Sequence, residues 1–170
     1  MDEWPQWAGD IPTWITTAAI ALAALQLFAE RKKRAAEEVR ESKSQASELT
    51  SWTVSDGGTK NFGLVVSNTS RSTFHNVEIT VQLHDQLIKT PVRLTVLPPG
   101  TFYIRYSGDD PRGRDNSRPF AWEFPIDANS YDGWLRPYMN SPKYQVLKMA
   151  FKDNLKQAWH TDAQALLTKV

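Results

Sequence analysis

Cysteine is absent from all 170 residues. That excludes disulfide scaffolds, thiol nucleophiles and cysteine metal sites. It fits a reducing compartment without demanding one, because many exported chains also lack cysteine. Histidine is scarce: His75, His84 and His160 stand apart, with no HxxxH or HExxH pair among them. No acidic cluster has metal-ligand spacing. The phosphate-cradling Walker loop, the GxSxG elbow and the GxGxxG turn are all missing. No catalytic residue, metal ligand or cofactor site is therefore assigned, and the chain is expected to be non-enzymatic. The formal net charge is only +1, so a basic surface for nucleic acid is not expected. Basic residues are unevenly placed: none occurs among the first thirty, which carry Asp2, Glu3, Asp10 and Glu30.

What the N-terminal region does contain is an uncharged run. Residues 11–29 read IPTWITTAAIALAALQLFA. As a helix this spans about 28 Å, close to the hydrocarbon thickness of a bilayer. Asp10 suits an N-cap and Pro12 the first turn. Trp4, Trp7 and Trp14 cluster at one end, as interfacial tryptophans do. Arg31, Lys32, Lys33 and Arg34 follow the other end. The positive-inside rule then predicts a single span in the cytoplasmic membrane, with residues 1–10 outside and everything after Arg31 in the cytoplasm. A cleaved signal peptide would begin with a basic region, and this one is acidic. An interfacial helix would carry Lys or Arg on one face. A buried helix of a soluble domain is the remaining alternative, since the run is rich in Ala and Thr. Thr16, Ala19, Ala23 and Gln26 share one helix face. Small residues and an amide there suit self-association into a homo-oligomer or pairing with another membrane protein. The favoured reading of the same residues is an Ala-rich anchor with one tolerated Gln, because hydrogen bonds across such contacts are modest.

Residues 30–50 continue as helix formers, with Glu30–Arg34 and Arg34–Glu38 at i,i+4 spacing. They lack an apolar stripe and are expected to form a solvated juxtamembrane stalk, fraying near residues 42–47. From residue 51 the pattern alternates. Trp52–Val54, Phe62–Ser67, Val77–Leu83, Val92–Val96, Phe102–Tyr106 and Phe120–Ile126 read as strands. Val146–Phe151 and Ala158–Thr161 read as a closing hairpin around Asp153-Asn154. Residues 51–163 are thus expected to form an antiparallel all-β sandwich of immunoglobulin-like type, without the Cys–Trp–Cys core. Residues 164–170 form a last strand or a tail.

Two loops stand out. Residues 107–119 (SGDDPRGRDNSRP) mix three aspartates with three arginines. They lack the Glu that closes an EF-hand loop, so a self-paired, solvated loop is the expectation. Residues 131–144 (YDGWLRPYMNSPKY) are long for a hairpin connection. Tyr131, Trp134, Arg136 and Tyr138 are the candidate partner-binding residues, as aromatics with arginine dominate interface hot spots. The competing role is to fold back and cap the sandwich.

Three short motifs extend the argument: Val66-Ser67-Asn68-Thr69-Ser70, Leu97-Pro98-Pro99-Gly100-Thr101, and Phe151-Lys152-Asp153 with Trp159. In these the chain resembles a loose group of small single-pass membrane proteins from actinobacteria and their phages. The group combines an N-terminal anchor, a charged helix and a compact β-sandwich. Its last hairpin turn usually holds a glycine, where this chain has Asn154-Leu155-Lys156-Gln157. Two functions are expected. The first is a membrane-anchored, non-enzymatic module that recruits or sequesters a protein partner at the inner face of the bilayer. The second, implied by the resemblance, is a phage- or prophage-encoded protein for superinfection exclusion or anti-phage defence.

Overall fold

The structure is a computed structural model. It describes residues 11–58, 61–108 and 121–170, without the side chains of residues 11–15 and 17. The chain divides into two compact units, the second being Lys43–Val170. One helix precedes antiparallel sheets, as the patterning predicts.

Helix α1 runs Ile11–Ala46. After Pro12 it contains neither Gly nor Pro and is dominated by Ala, Leu, Glu, Lys and Arg, the strongest helix formers. It closes where Ser47 and Glu48 donate backbone N–H groups to the carbonyls of Lys43 and Gln45. The segment Thr50-Ser51-Trp52-Thr53-Val54 then favours extended backbone. Among the described residues no helix is long and apolar enough to cross a membrane. Trp4 and Trp7 lie outside the described residues, as does the side chain of Trp14. Within residues 18–29 the large side chains Ile20, Leu22, Leu25, Leu27 and Phe28 are all more than half exposed. At about 100° per residue they cover about 220° of the circumference, and Ala19, Ala23 and Gln26 line the remaining arc. Arg31, Lys32, Lys33 and Arg34 are exposed on the next turn.

The second unit is a two-sheet sandwich. Sheet one contains β1 (Leu49–Asp56), β2 (Phe62–Asn68), β6 (Gly100–Arg105), β7 (Ile126–Asp127) and β8 (Leu135–Pro137), in the order β7-β6-β2-β1-β8. Sheet two is built on β3 (Phe74–Leu83), β9 (Gln145–Lys152), β10 (Ala158–Thr161) and β11 (Leu167–Lys169). Their order is β11-β10-β9-β3, and β4 (Gln86–Leu87) and β5 (Val92–Leu97) pair with the far side of β3. All pairings are antiparallel. Between the sheets lies the main core. Leu64, Val66 and Ile104 come from sheet one, and Ile79, Val81, Met149, Phe151 and Trp159 from sheet two. Ala46, in the last turn of α1, belongs to this core.

The strand expected at residues 120–126 forms only in pieces. Ser107 donates to the Ala121 carbonyl and Glu123 to that of Arg105, so residues 121–123 extend the β6 ladder. Ile126 then pairs with Tyr103, one residue out of register with that extension. The break falls at Phe124-Pro125: proline lacks a donor, and Phe124 is 84% exposed. Phe120 lies outside the described residues, as do 109–119 of the charged loop.

Candidate functional site

The three motifs of the resemblance meet at one end of the sandwich. Asn68 is buried with its amide fully used. Its Nδ2 donates to the carbonyls of Ser72 (2.8 Å) and Leu97 (3.3 Å), and its Oδ1 accepts from the Ser70 N–H and hydroxyl. Ser67 and Thr101 share a hydroxyl hydrogen bond of 2.9 Å. Asp153 is 1% exposed and collects the N–H groups of Leu155 and Gln157 on Oδ1, and the Trp159 indole on Oδ2. These residues buckle β2, β5, β6 and β9 together, a structural task that leaves few polar atoms for a ligand.

The aromatic segment behaves differently. β7 pairs with β6 at one edge of sheet one, and β8 pairs with β1 at the other. The connection from Ala128 to Trp134 must therefore cross four interstrand steps, about 19 Å, over the face turned away from sheet two. This strap covers a second small core of Val54, Val65 and Tyr103, packed by Ala128, Tyr131 and Leu135. Tyr131 lies against Tyr103 at 4.9 Å and donates its hydroxyl to Asp56 Oδ2 at 2.8 Å. Burial, then that hydrogen bond, raises its pKa. Tyr103 is 1% exposed, and its hydroxyl finds no hydrogen-bond partner among the described residues. Burial foremost, then the nearby Tyr131 and Asp56, pushes its pKa well above the usual phenol value. Gly63 makes room for this ring, since a Cβ there would meet Tyr103 Cε2 at 2.5 Å and the Ile104 carbonyl oxygen at 2.6 Å.

The four sequence candidates are thereby split. Tyr131 faces the small core. Trp134, Arg136 and Tyr138 alternate along edge strand β8 and its exit, so all three leave by the opposite face. Trp134 is 66% exposed, and the Arg136 guanidinium sits 4.7 Å from its ring centroid. Neighbouring Met139 is 84% exposed. Tyr138 stacks on Tyr144 at 4.0 Å, with Phe62 beyond, and the Tyr144 hydroxyl meets a His84 ring nitrogen at 2.6 Å. The outcome lies between the two readings: Tyr131 and Tyr138 cap, whereas Trp134 and Arg136 remain available.

Beyond Tyr138 this row runs into a groove of about 350 Å³. Its walls are Thr50–Thr53 of β1, Tyr138 and Tyr144, Val146 and Met149 of β9, and Thr161–Ala163 and Ala165. Sequence reasoning missed it because three distant segments build it and no single one carries a motif. No family model, curated protein or solved structure matches this chain. The functional reading rests on geometry. Among the described residues, no group of three His, Cys, Asp or Glu side chains is placed to hold a metal ion.

The association candidates Thr16, Ala19, Ala23 and Gln26 lie along one side of α1 and are exposed.

Proposed function

We propose that this chain is a membrane-tethered, non-catalytic interaction module. Its sandwich is immunoglobulin-like and presents a protein-binding edge at the inner face of the cytoplasmic membrane. The observation that carries this reading is the Trp134–Arg136 pair. A large ring held in the open by a stacked cation has the composition of an interface anchor. It sits on an edge strand beside a groove, where a partner reaches it without disturbing the core. Strand order supports the immunoglobulin-like assignment. β1, β2 and β6 take the places of strands A, B and E, and β3, β9 and β10 those of C, F and G. β5 lies beside β3 as C′ lies beside C. Support for the tether is the broad, exposed apolar face of residues 20–28, which calls for an apolar surround, and the four cations that follow set the side.

The test is topology. Single cysteines at Asp2 and Leu155 are probed with a membrane-impermeant thiol reagent on intact cells. Labelling of Asp2→Cys alone, with Leu155→Cys reacting only after lysis, is the expected result. Labelling of Leu155→Cys in intact cells places the sandwich outside and overturns the inner-face assignment.

A further inference from the structure

We propose that the groove beside β1 takes an extended peptide strand of a partner protein, adding it to sheet one, and that this strand carries a basic side chain. This deepens the interaction-module reading and rests on it. β1 is paired along its whole length with β2, but with β8 only from Val54 to Asp56. The phase of the ladder identifies the groups that remain open. Thr69 donates to the Glu48 carbonyl and Asp56 to that of Asn61, so the even-numbered residues of β1 bond to β2. Tyr138 donates to the Thr53 carbonyl, and Gly57 to that of Trp134, so odd-numbered residues face the β8 side. The N–H and C=O of Ser51 therefore point outward, past the end of β8, with no ladder partner among the described residues. A polypeptide backbone supplies an alternating donor and acceptor at that spacing.

The groove specifies the occupant's side chains. A strand laid beside Ser51 turns alternate residues inward between Met149 and Val146 and the Tyr138–Tyr144 stack, which suits a β-branched apolar group. The Ser51 hydroxyl already turns inward, 3.8 Å from the Met149 sulfur. Asp162 brings the one formal charge among the lining side chains. Its Oδ1 accepts from the N–H groups of Gln164 and Leu166, so the carboxylate is fixed in place and complements a lysine or arginine. A second copy pairing through its own β1 is the weaker fit, because that strand, LTSWTVSD, contains no base.

The probe is a fluorescent octapeptide of alternating valine and threonine with lysine at each end, titrated into the full chain in mild detergent and followed by anisotropy. Saturable binding is expected. Exchanging the lysines for glutamates weakens it, and Asp162→Asn, which keeps the turn acceptor, abolishes that preference. The change is about two- to fivefold, the scale of an exposed ion pair. Ser51→Pro removes the outward N–H at an edge position where proline is tolerated and lowers affinity at least about tenfold, the scale of one or two lost hydrogen bonds. Backbone N-methylation of the peptide's central residues has the same effect and leaves the protein untouched, which covers a Ser51→Pro chain that misfolds. No saturable binding, or binding indifferent to N-methylation, overturns the proposal. So does probe binding only in competition with self-association of the chain, which assigns the edge to a second copy. The topology result for Leu155→Cys stands apart from all of these, so either idea can fail alone.

Discussion

Tyr103 is the least comfortable side chain in the sandwich. Its ring completes the small core beneath the strap, while its hydroxyl is buried without a partner among the described residues. Such a group forfeits its water hydrogen bonds at a cost of about 1–3 kcal/mol. Tyr103→Phe keeps the ring and removes the cost, so the variant should be more stable by about 1 kcal/mol at neutral pH. The measurement is a shift of the urea midpoint at unchanged slope. A loss of stability instead means the hydroxyl is satisfied by buried water. Alkaline pH gives the second readout. Burial raises the folded-state pKa of Tyr103 above the unfolded value of about 10, so the unfolded chain loses this proton first. Stability from this group is complete below about pH 10 and falls as pH rises towards the folded pKa, by up to about 1.4 kcal/mol per unit. Tyr131 and Tyr144 shift in the same direction and remain in the variant. The alkaline limb of Tyr103→Phe should therefore be shallower than that of the parent, but not flat. Parallel limbs would show that Tyr103 does not stay protonated in the fold.

At the scale of elements, the two final hairpins use one turn design twice. Asp153 accepts from the N–H groups two and four residues on, and Asp162 does the same. In each turn the third residue after the aspartate is left-handed: Lys156 at φ 62° and Ala165 at φ 59°. Side chains with a Cβ are strained there by roughly 1 kcal/mol, and glycine is not. Lys156→Gly should raise stability by up to about 0.5 kcal/mol after its own entropy cost. Asp153→Ala, which strands the buried Trp159 indole and two turn amides, should cost about 3 kcal/mol. Thermal melts of both variants check the pair, and a destabilised Lys156→Gly would mean the left-handed turn is not populated. The sequence does not announce Lys156, because the turn Asn154-Leu155-Lys156-Gln157 contains no glycine to mark the left-handed position. Most of the strands were legible because one face of each is buried, as in Val77, Ile79 and Val81, and period-two alternation records that directly. β8 was not legible, because Leu135–Pro137 is a short edge strand whose partner lies some eighty residues earlier. The alternation of Trp122, Phe124 and Ile126 misled because Pro125 breaks the ladder it implies. Trp134 and Arg136 could be named from composition. Their separation from Tyr131 could not, since it depends on the strap crossing a sheet face.

On the scale of the whole molecule, the division at Ser42 and Lys43 separates two kinds of physics. Residues 43–170 bury a core that includes Ala46, so this unit includes the last turn of α1. A fragment Lys43–Val170 should therefore fold cooperatively with the melting behaviour of the sandwich in the full chain. Starting at Leu49 instead removes the Ala46 contact and should cost about 1 kcal/mol. Around residues 20–28 the large apolar side chains of α1 stand exposed, and the proposed tether would bury them in lipid. Flotation with anionic lipid vesicles separates the contributions. The full chain should float and the Lys43–Val170 fragment should not. Replacing Arg31, Lys32, Lys33 and Arg34 by glutamine should weaken association with anionic vesicles by about 1 kcal/mol per charge near the surface, and have little effect with neutral ones. A fragment that floats would relocate lipid binding to the sandwich. A full chain that stays with the protein fraction would remove the tether, leaving the exposed apolar face of α1 to be covered by protein.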